Sequence, residues 1–278
     1  MILRKSGIWI HTILLFLSAL TLYPMAFMLI NSVKNGLATI ANPFSLPQHP
    51  VWSNFSMAWQ SIAPAFGRTS LIVVVSVIAI LLFSLMSAYV FARLNFRERE
   101  ILFYLVFGLL LVPAFLTLIP LFLEVKNMGL LGSIWGLILP YIAGGQAFSI
   151  FVLRTFIRGI PNELFEASRI DGANDIQIFY WIVIPLSLPI LVTLGLLHFV
   201  ALWSDFILPS LILQPANETV AMAIVNFQPP TAAVGSIAIN AFNQQMAAFT
   251  LASIPIAVLF AFLMRYFVAG ITNGALKM

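Results

Sequence analysis

The sequence predicts an all-α, polytopic membrane protein with six transmembrane helices. Of its 278 residues, 62% are hydrophobic and only 8% are charged, against about 25% charged in soluble chains. Mean hydropathy is +1.05. Six apolar runs reach the roughly 20 residues needed to cross a hydrocarbon core: 8–30, 70–91, 101–123, 134–153, 182–203 and 246–268. None holds an acidic residue, and Arg265 is the sole Lys or Arg within them.

The first span follows Arg4 and Lys5. Its apolar run is too long for a cleaved leader and no small-residue cleavage site follows it, so it is expected to remain in the protein. Residues 32–69 read as a polar external loop carrying Pro43, Pro47 and Pro50, with a short helix over 54–59 against the membrane. Spans two and three are joined by a tight, charged turn over 92–100. Pro113 and Pro120 interrupt span three, Pro140 with Gly144-Gly145 interrupts span four, and Pro185, Pro189 and Pro255 mark the last two. Such residues are tolerated where freed backbone groups meet protein or water. They read equally as bends around a pathway or as ordinary membrane-helix packing. The predicted order is a first helix (1–31), a loop (32–69), a five-helix core (70–270) and a short tail (271–278).

Basic residues set the orientation. With both termini on one side, that side holds Arg4, Lys5, Arg93, Arg97, Arg99, Arg154, Arg158, Arg169, Arg265 and Lys277, against Lys34, Arg68 and Lys126 on the other. Ten against three places both termini and the 154–175 loop in the cytoplasm. The net charge of +4 therefore reports topology, and no basic-aromatic cluster suggests nucleic acid. With no cysteine at all, disulfides and thiolate metal sites are excluded.

The 154–175 loop is the most informative segment. Glu166-Ala167-Ser168 is followed after three residues by Gly172, and after nine more by Ile182-x-Ile184-Pro185. Asn162 reads as an N-cap, Glu163 and Glu166 favour the positive helix start, and Gly172 suits a left-handed C′. The result is a helix over about 162–171, with Leu164, Ala167, Ser168 and Asp171 on one side. The small pair Ala167 and Ser168 would let another protein surface approach closely. Asn174 reads as a second N-cap, leading into span five. A helix lying on lipid would instead favour Lys, Arg and bulky apolar residues.

This spacing resembles the E-A-A-x3-G-x9-I-x-L-P loop of permease subunits from binding-protein-dependent ABC importers, with Ser168 and Ile184 as the departures. The resemblance extends to 88–93 (Ala-Tyr-Val-Phe-Ala-Arg), to Leu118–Phe122 with Gly129-Leu130-Leu131, and to Trp135–Tyr141. It also covers Arg154-x-Phe156-x4-Pro161 and Trp203-Ser204-Asp205-Phe206. The ending from Arg265 to Lys277 is similar to the maltose-permease-like, carbohydrate branch. The resemblance implies the type I importer permease fold in a prokaryotic cytoplasmic (inner) membrane. It also implies a related second permease, two ATPase subunits that bind ATP and Mg, and an extracytoplasmic solute-binding protein. Within it, Glu163, Glu166, Ala167, Ser168, Ile170, Asp171, Gly172 and Ala173 form the surface that docks on the ATPase: Glu166 makes a polar contact, Ala167 packs closely and Gly172 ends the helix.

Other chemistry is sparse. No Gly-Lys dipeptide occurs, so there is no phosphate loop and no ATP hydrolysis by this chain alone. The spans lack the carboxylate relay a proton-coupled carrier needs. A sodium-coupled carrier using backbone oxygens escapes that argument. His198 with a nearby serine is the only material for an intramembrane hydrolase, and no G-x-S-x-G accompanies it. Gln146, Trp203, Asp205 and Asn226 are candidate pathway residues. Asp205 reads either as a contact for sugar hydroxyls or as a cap for backbone amides, and the amides read equally as inter-helix bonds. The cargo implied by the resemblance is a sugar or polyol, with a sugar phosphate such as glycerol phosphate as the alternative.

Overall fold

The computed structural model describes residues 3–228 and 237–275. Its helices run, in chain order, α1 Leu3–Ser32, α2 Gly36–Ala41, α3 Ser53–Arg93, α4 Arg99–Gly108, α5 Ala114–Asn127 and α6 Trp135–Arg158. They continue as α7 Asn162–Ile170, α8 Asp175–Ile178, α9 Ile184–Trp203, α10 Ile207–Ile212, α11 Val220–Val225 and α12 Ile237–Ala275. Among the described residues, five helices are long and apolar enough to cross a membrane, and a broken pair is the sixth candidate.

Several elements differ from the sequence expectation. Span three is two helices bent by 101°. Val112 is extended (φ −80°, ψ 117°), the conformation that a following proline imposes. Pro113 also lacks the N–H that would continue the ladder, so α4 tightens through a 3-10 turn at Leu109–Leu111 and stops. Pro120 stays inside α5, and Pro140 inside α6, without breaking either helix. Residues 54–59 are not a separate helix: α3 runs unbroken for 41 residues through Pro64. The stretch placed in the first loop after residue 53 is therefore helical, while the remaining loop contains α2. Among the described residues, the stretch after α9 also holds short helices, α10 and α11, before α12 begins at Ile237. The tail from 271 continues α12 to Ala275; Lys277 lies outside the described residues.

The chain divides into two compact units. The first comprises residues 1–66 and 223–254. Its buried polar residues tie the loop down: Asn54 donates to the carbonyls of Ser32 (2.9 Å) and Lys34 (2.8 Å). Asn243 donates to the Asn31 carbonyl and the Thr39 hydroxyl, both at 2.7 Å. These bonds serve carbonyls at and just beyond the end of α1, where the helical ladder runs out.

The second unit, 67–222 and 255–278, has two apolar clusters threaded by α6. One gathers Ile72, Val125, Leu137, Ile138, Leu208 and Ile212. The other gathers Leu85, Ala88, Leu153, Ile157, Phe165, Ile178 and Phe179. Between them α6 and α3 approach at Gly145, where a Cβ would sit 2.7 Å from Ile80 Cδ1. Gly145 therefore serves close packing, and α6 runs through it without a break.

Candidate functional site: the exposed loop helix between α6 and α9

α7 is short and polar, and one side chain fastens it. Phe165 is buried in the second cluster, and burying such a ring is worth about 1.5–3 kcal/mol. The Arg93 guanidinium lies 4.0 Å over that ring. It donates to the Ile157 carbonyl (2.6 Å), the Ile160 carbonyl and the Asn162 Oδ1. Asn162 is thus the first helical residue and an acceptor for Arg93; Pro161 holds the cap position, without a side-chain cap bond. The sequence expectation of an Asn162 cap is corrected because the long-range arginine takes its side chain.

The end of α7 follows the local chemistry. Gly172 has φ +86°. Its N–H bonds to the Arg169 carbonyl (3.1 Å), and the Ala173 N–H to the Ser168 carbonyl (2.9 Å). This is the pairing of a Schellman C-cap. Asn174 caps α8 with a reciprocal Gln177 bond, both 2.9 Å. From there the chain enters a π-helical turn at Phe179–Val183, ahead of Pro185, whose missing N–H disfavours regular α-helical pairing. Tyr89, one turn before Arg93, donates to Asp175 at 3.3 Å and packs its ring 5.6 Å from Phe179.

With Phe165 turned inward, the motif faces out. Glu163, Leu164, Glu166, Ala167, Ile170, Asp171 and Gly172 are exposed, and Ser168 and Ala173 are half-buried. Ile170 is 85% exposed, far more than an apolar side chain with a partner inside its own fold. All eight residues singled out from sequence fall on this one loop. Arg93, Tyr89, Phe165 and Asp175 hold it, a part that the sequence did not assign to any of them. The signal was the arginine closing Ala-Tyr-Val-Phe-Ala-Arg, four residues after a tyrosine.

Beside this loop, Glu100 accepts Arg154 at 2.6 Å on both oxygens, Arg158 at 2.7 Å and Arg99 at 3.2 Å. Arg154 is nearly fully buried and lies 3.6 Å over Phe103. This carboxylate joins the start of α4 to the end of α6.

The pathway candidates each have their own surroundings. Trp203 is buried at the end of α9, stacked on Phe199 at 5.4 Å. Asp205 accepts the Tyr141 hydroxyl (2.7 Å) and the Ile207 N–H (3.0 Å), so it is a cap and a cross-helix acceptor. Gln146 donates within its own helix to the Ile142 carbonyl at 3.0 Å. Asn226 is exposed after α11 and belongs to the first unit. His198 Nε2 lies 2.7 Å from the Ser149 hydroxyl, a pairing of α6 with α9.

Residues 80–273 match the family described as the binding-protein-dependent transport system inner membrane component, and the chain belongs to that family. It is 35% identical over 208 residues to a diacetylchitobiose uptake system permease of Streptomyces coelicolor, covering 74% of this chain and 69% of that protein. It is 31% identical to a probable starch degradation products permease of Thermoanaerobacterium thermosulfurigenes, covering 94% and 93%. A melibiose/raffinose/stachyose import permease of Bacillus subtilis is 29% identical, covering 99% and 98%. The fold matches a chain of a bacterial ABC transporter that imports alginate, with a TM-score of 0.83 and 24% identity over 95% of this chain and 97% of that one.

Proposed function

We propose that this chain is one of two related permease subunits of an ATP-driven importer for neutral oligosaccharides or related sugars. An extracytoplasmic binding protein delivers the cargo, and two ATPase subunits supply the energy. The observation that carries this reading is the loop helix: its base is fixed by Phe165 and Arg93, while its Glu166-Ala167-Ser168 face is open. The carbohydrate class is supported by the sugars named for the relatives. Among the described residues no basic pair is bonded to the pathway candidates, which favours a neutral sugar over a sugar phosphate.

In this reading α7 seats in a cleft of the ATPase. Glu166 makes a polar contact there, Ala167 and Ser168 allow close approach, and Leu164 and Ile170 supply apolar contact. Glu163, Asp171, Gly172 and Ala173 complete the surface. ATP and Mg belong to the partner subunits, and this chain binds no cofactor. The arginine-rich turn 92–100 and the α7 loop face the cytoplasm with both termini, as the charge bias directs.

The test is reconstitution of the chain with its sister permease, ATPases and binding protein in liposomes, with radiolabelled raffinose, diacetylchitobiose and maltotriose as probes. ATP-dependent uptake of at least one is expected. Glu166→Lys abolishes it while the chain still inserts. Uptake at the wild-type rate by Glu166→Lys would refute the coupling role.

A further inference from the structure

We propose that the end of α3 is part of the coupling machinery: Tyr89 and Arg93 clasp the two ends of the α7 loop, so α3 and α7 move as one body. The proposal rests on the coupling reading of α7 and adds a route for the motion that chain connectivity does not supply. α7 joins α6 through 159–161 and α8 through 171–174. A push on α7 could be absorbed by flexing of those short turns. The side chains from α3 bypass both turns.

The geometry is specific. Tyr89 and Arg93 are four residues apart, on one face of α3. Arg93 reaches the entry side, bonding Ile157, Ile160 and Asn162 and covering the Phe165 ring. Tyr89 reaches the exit side, bonding Asp175 and packing on Phe179. Asp175 in turn accepts Arg169 of α7 at 3.3 Å. Phe165, Phe179 and Tyr89 share one buried cluster with Leu85 and Ala88, so apolar packing fills the space between the two polar grips. Arg93 is a positioning residue here. Its planar fork bonds several acceptors while stacking on a ring, which a lysine ammonium cannot do.

The chain has no cysteine, so Asn95→Cys and Ile176→Cys give a unique pair of spin-label sites on it, both exposed. The complete importer, with cysteine-free partner subunits, is reconstituted and the label distance is measured by pulsed dipolar spectroscopy without nucleotide and with trapped ATP. The expected result is one narrow distance, the same in both states. With Arg93→Gln the distribution broadens, and ATP hydrolysed per sugar transported rises about fivefold, the low end of measured site-to-site couplings. Arg93→Lys does not restore either value. A wild-type distance that shifts on ATP binding would overturn the clasp, and that measurement needs no destabilising variant. A narrow distribution with wild-type stoichiometry in Arg93→Gln would overturn it too. Glu166→Lys in the same assay separates the two ideas. If it uncouples transport and Arg93→Gln does not, only the clasp fails; if Glu166→Lys transports normally, the coupling reading itself fails.

Discussion

The Tyr141 hydroxyl donates to Asp205 Oδ2 at 2.7 Å, joining α6 to the segment between α9 and α10. The other oxygen, Oδ1, accepts the Ile207 N–H at 3.0 Å. Both carboxylate oxygens are thus engaged inside the fold, beside the buried side chains of Leu137, Ile138 and Leu208. Asp205→Ala is expected to destabilise the purified protein by about 1–3 kcal/mol, since it leaves the hydroxyl of the buried Tyr141 without its acceptor. Tyr141→Phe costs less, and the double variant falls short of the sum because the two share one bond. Thermal unfolding in detergent measures all three. An unchanged Tm with reduced uptake in Asp205→Ala would assign the carboxylate to cargo instead.

Gly172 illustrates a cost that comes from backbone alone. A Cβ there meets nothing within 4 Å, but φ is +86°. Gly172→Ala is therefore expected to cost about 1–2 kcal/mol through left-handed strain and to loosen the end of α7. Gly172→Asn, which tolerates that region, costs less. Uptake by the reconstituted importer should fall in the order glycine, asparagine, alanine. Equal uptake by all three would mean the cap does not matter to coupling.

Two glycines of α6 form an internal control. A Cβ at Gly136 would lie 2.5 Å from the Leu130 carbonyl oxygen and 2.9 Å from Ile212 Cγ2, whereas at Gly144 it would meet nothing within 4 Å. Gly136→Ala is expected to destabilise by about 1–3 kcal/mol, as overpacking does. Gly144→Ala should be neutral or slightly stabilising, because alanine is the better helix former. Comparing the two Tm values checks this directly.

Glu218 supplies a pH test in the loop before α11. Burial raises its carboxyl above the ordinary glutamate value, partly opposed by the nearby Arg68 guanidinium, which donates to the Glu218 backbone carbonyl at 2.8 Å. The folded state therefore prefers the protonated form. Its stabilising contribution is complete below the ordinary value of about 4.3 and is lost as pH rises through the raised folded value. Wild-type Tm should fall across that window relative to Glu218→Gln, and the variant should be the more stable at neutral pH. Parallel pH profiles for the two proteins would exclude this assignment.

Much of the site was legible because its determinants are local. The Gly172 turn, the Asn174 cap and the exposed Glu166-Ala167 pair each depend on neighbours within one or two turns of chain. The Asn162 cap failed for the opposite reason: a side chain 69 residues away took its oxygen. Asp205 had two readings on sequence grounds, and its bond to Tyr141, 64 residues away, is a contact that the local sequence does not signal.

The sequence by itself determined that the chain crosses a membrane repeatedly and that a polar helix is offered between α6 and α9. Apolar length, charge bias and capping chemistry are properties of short stretches. Tertiary structure decided which prolines break a helix. Pro113 turns the chain through 101° while Pro120, Pro140 and Pro64 are absorbed, since the cost of a lost bond depends on what surrounds it. It also decided what holds α7. The grips of Tyr89 and Arg93 close loops of more than 60 residues, and packing of distant segments, not local propensity, brings such partners together.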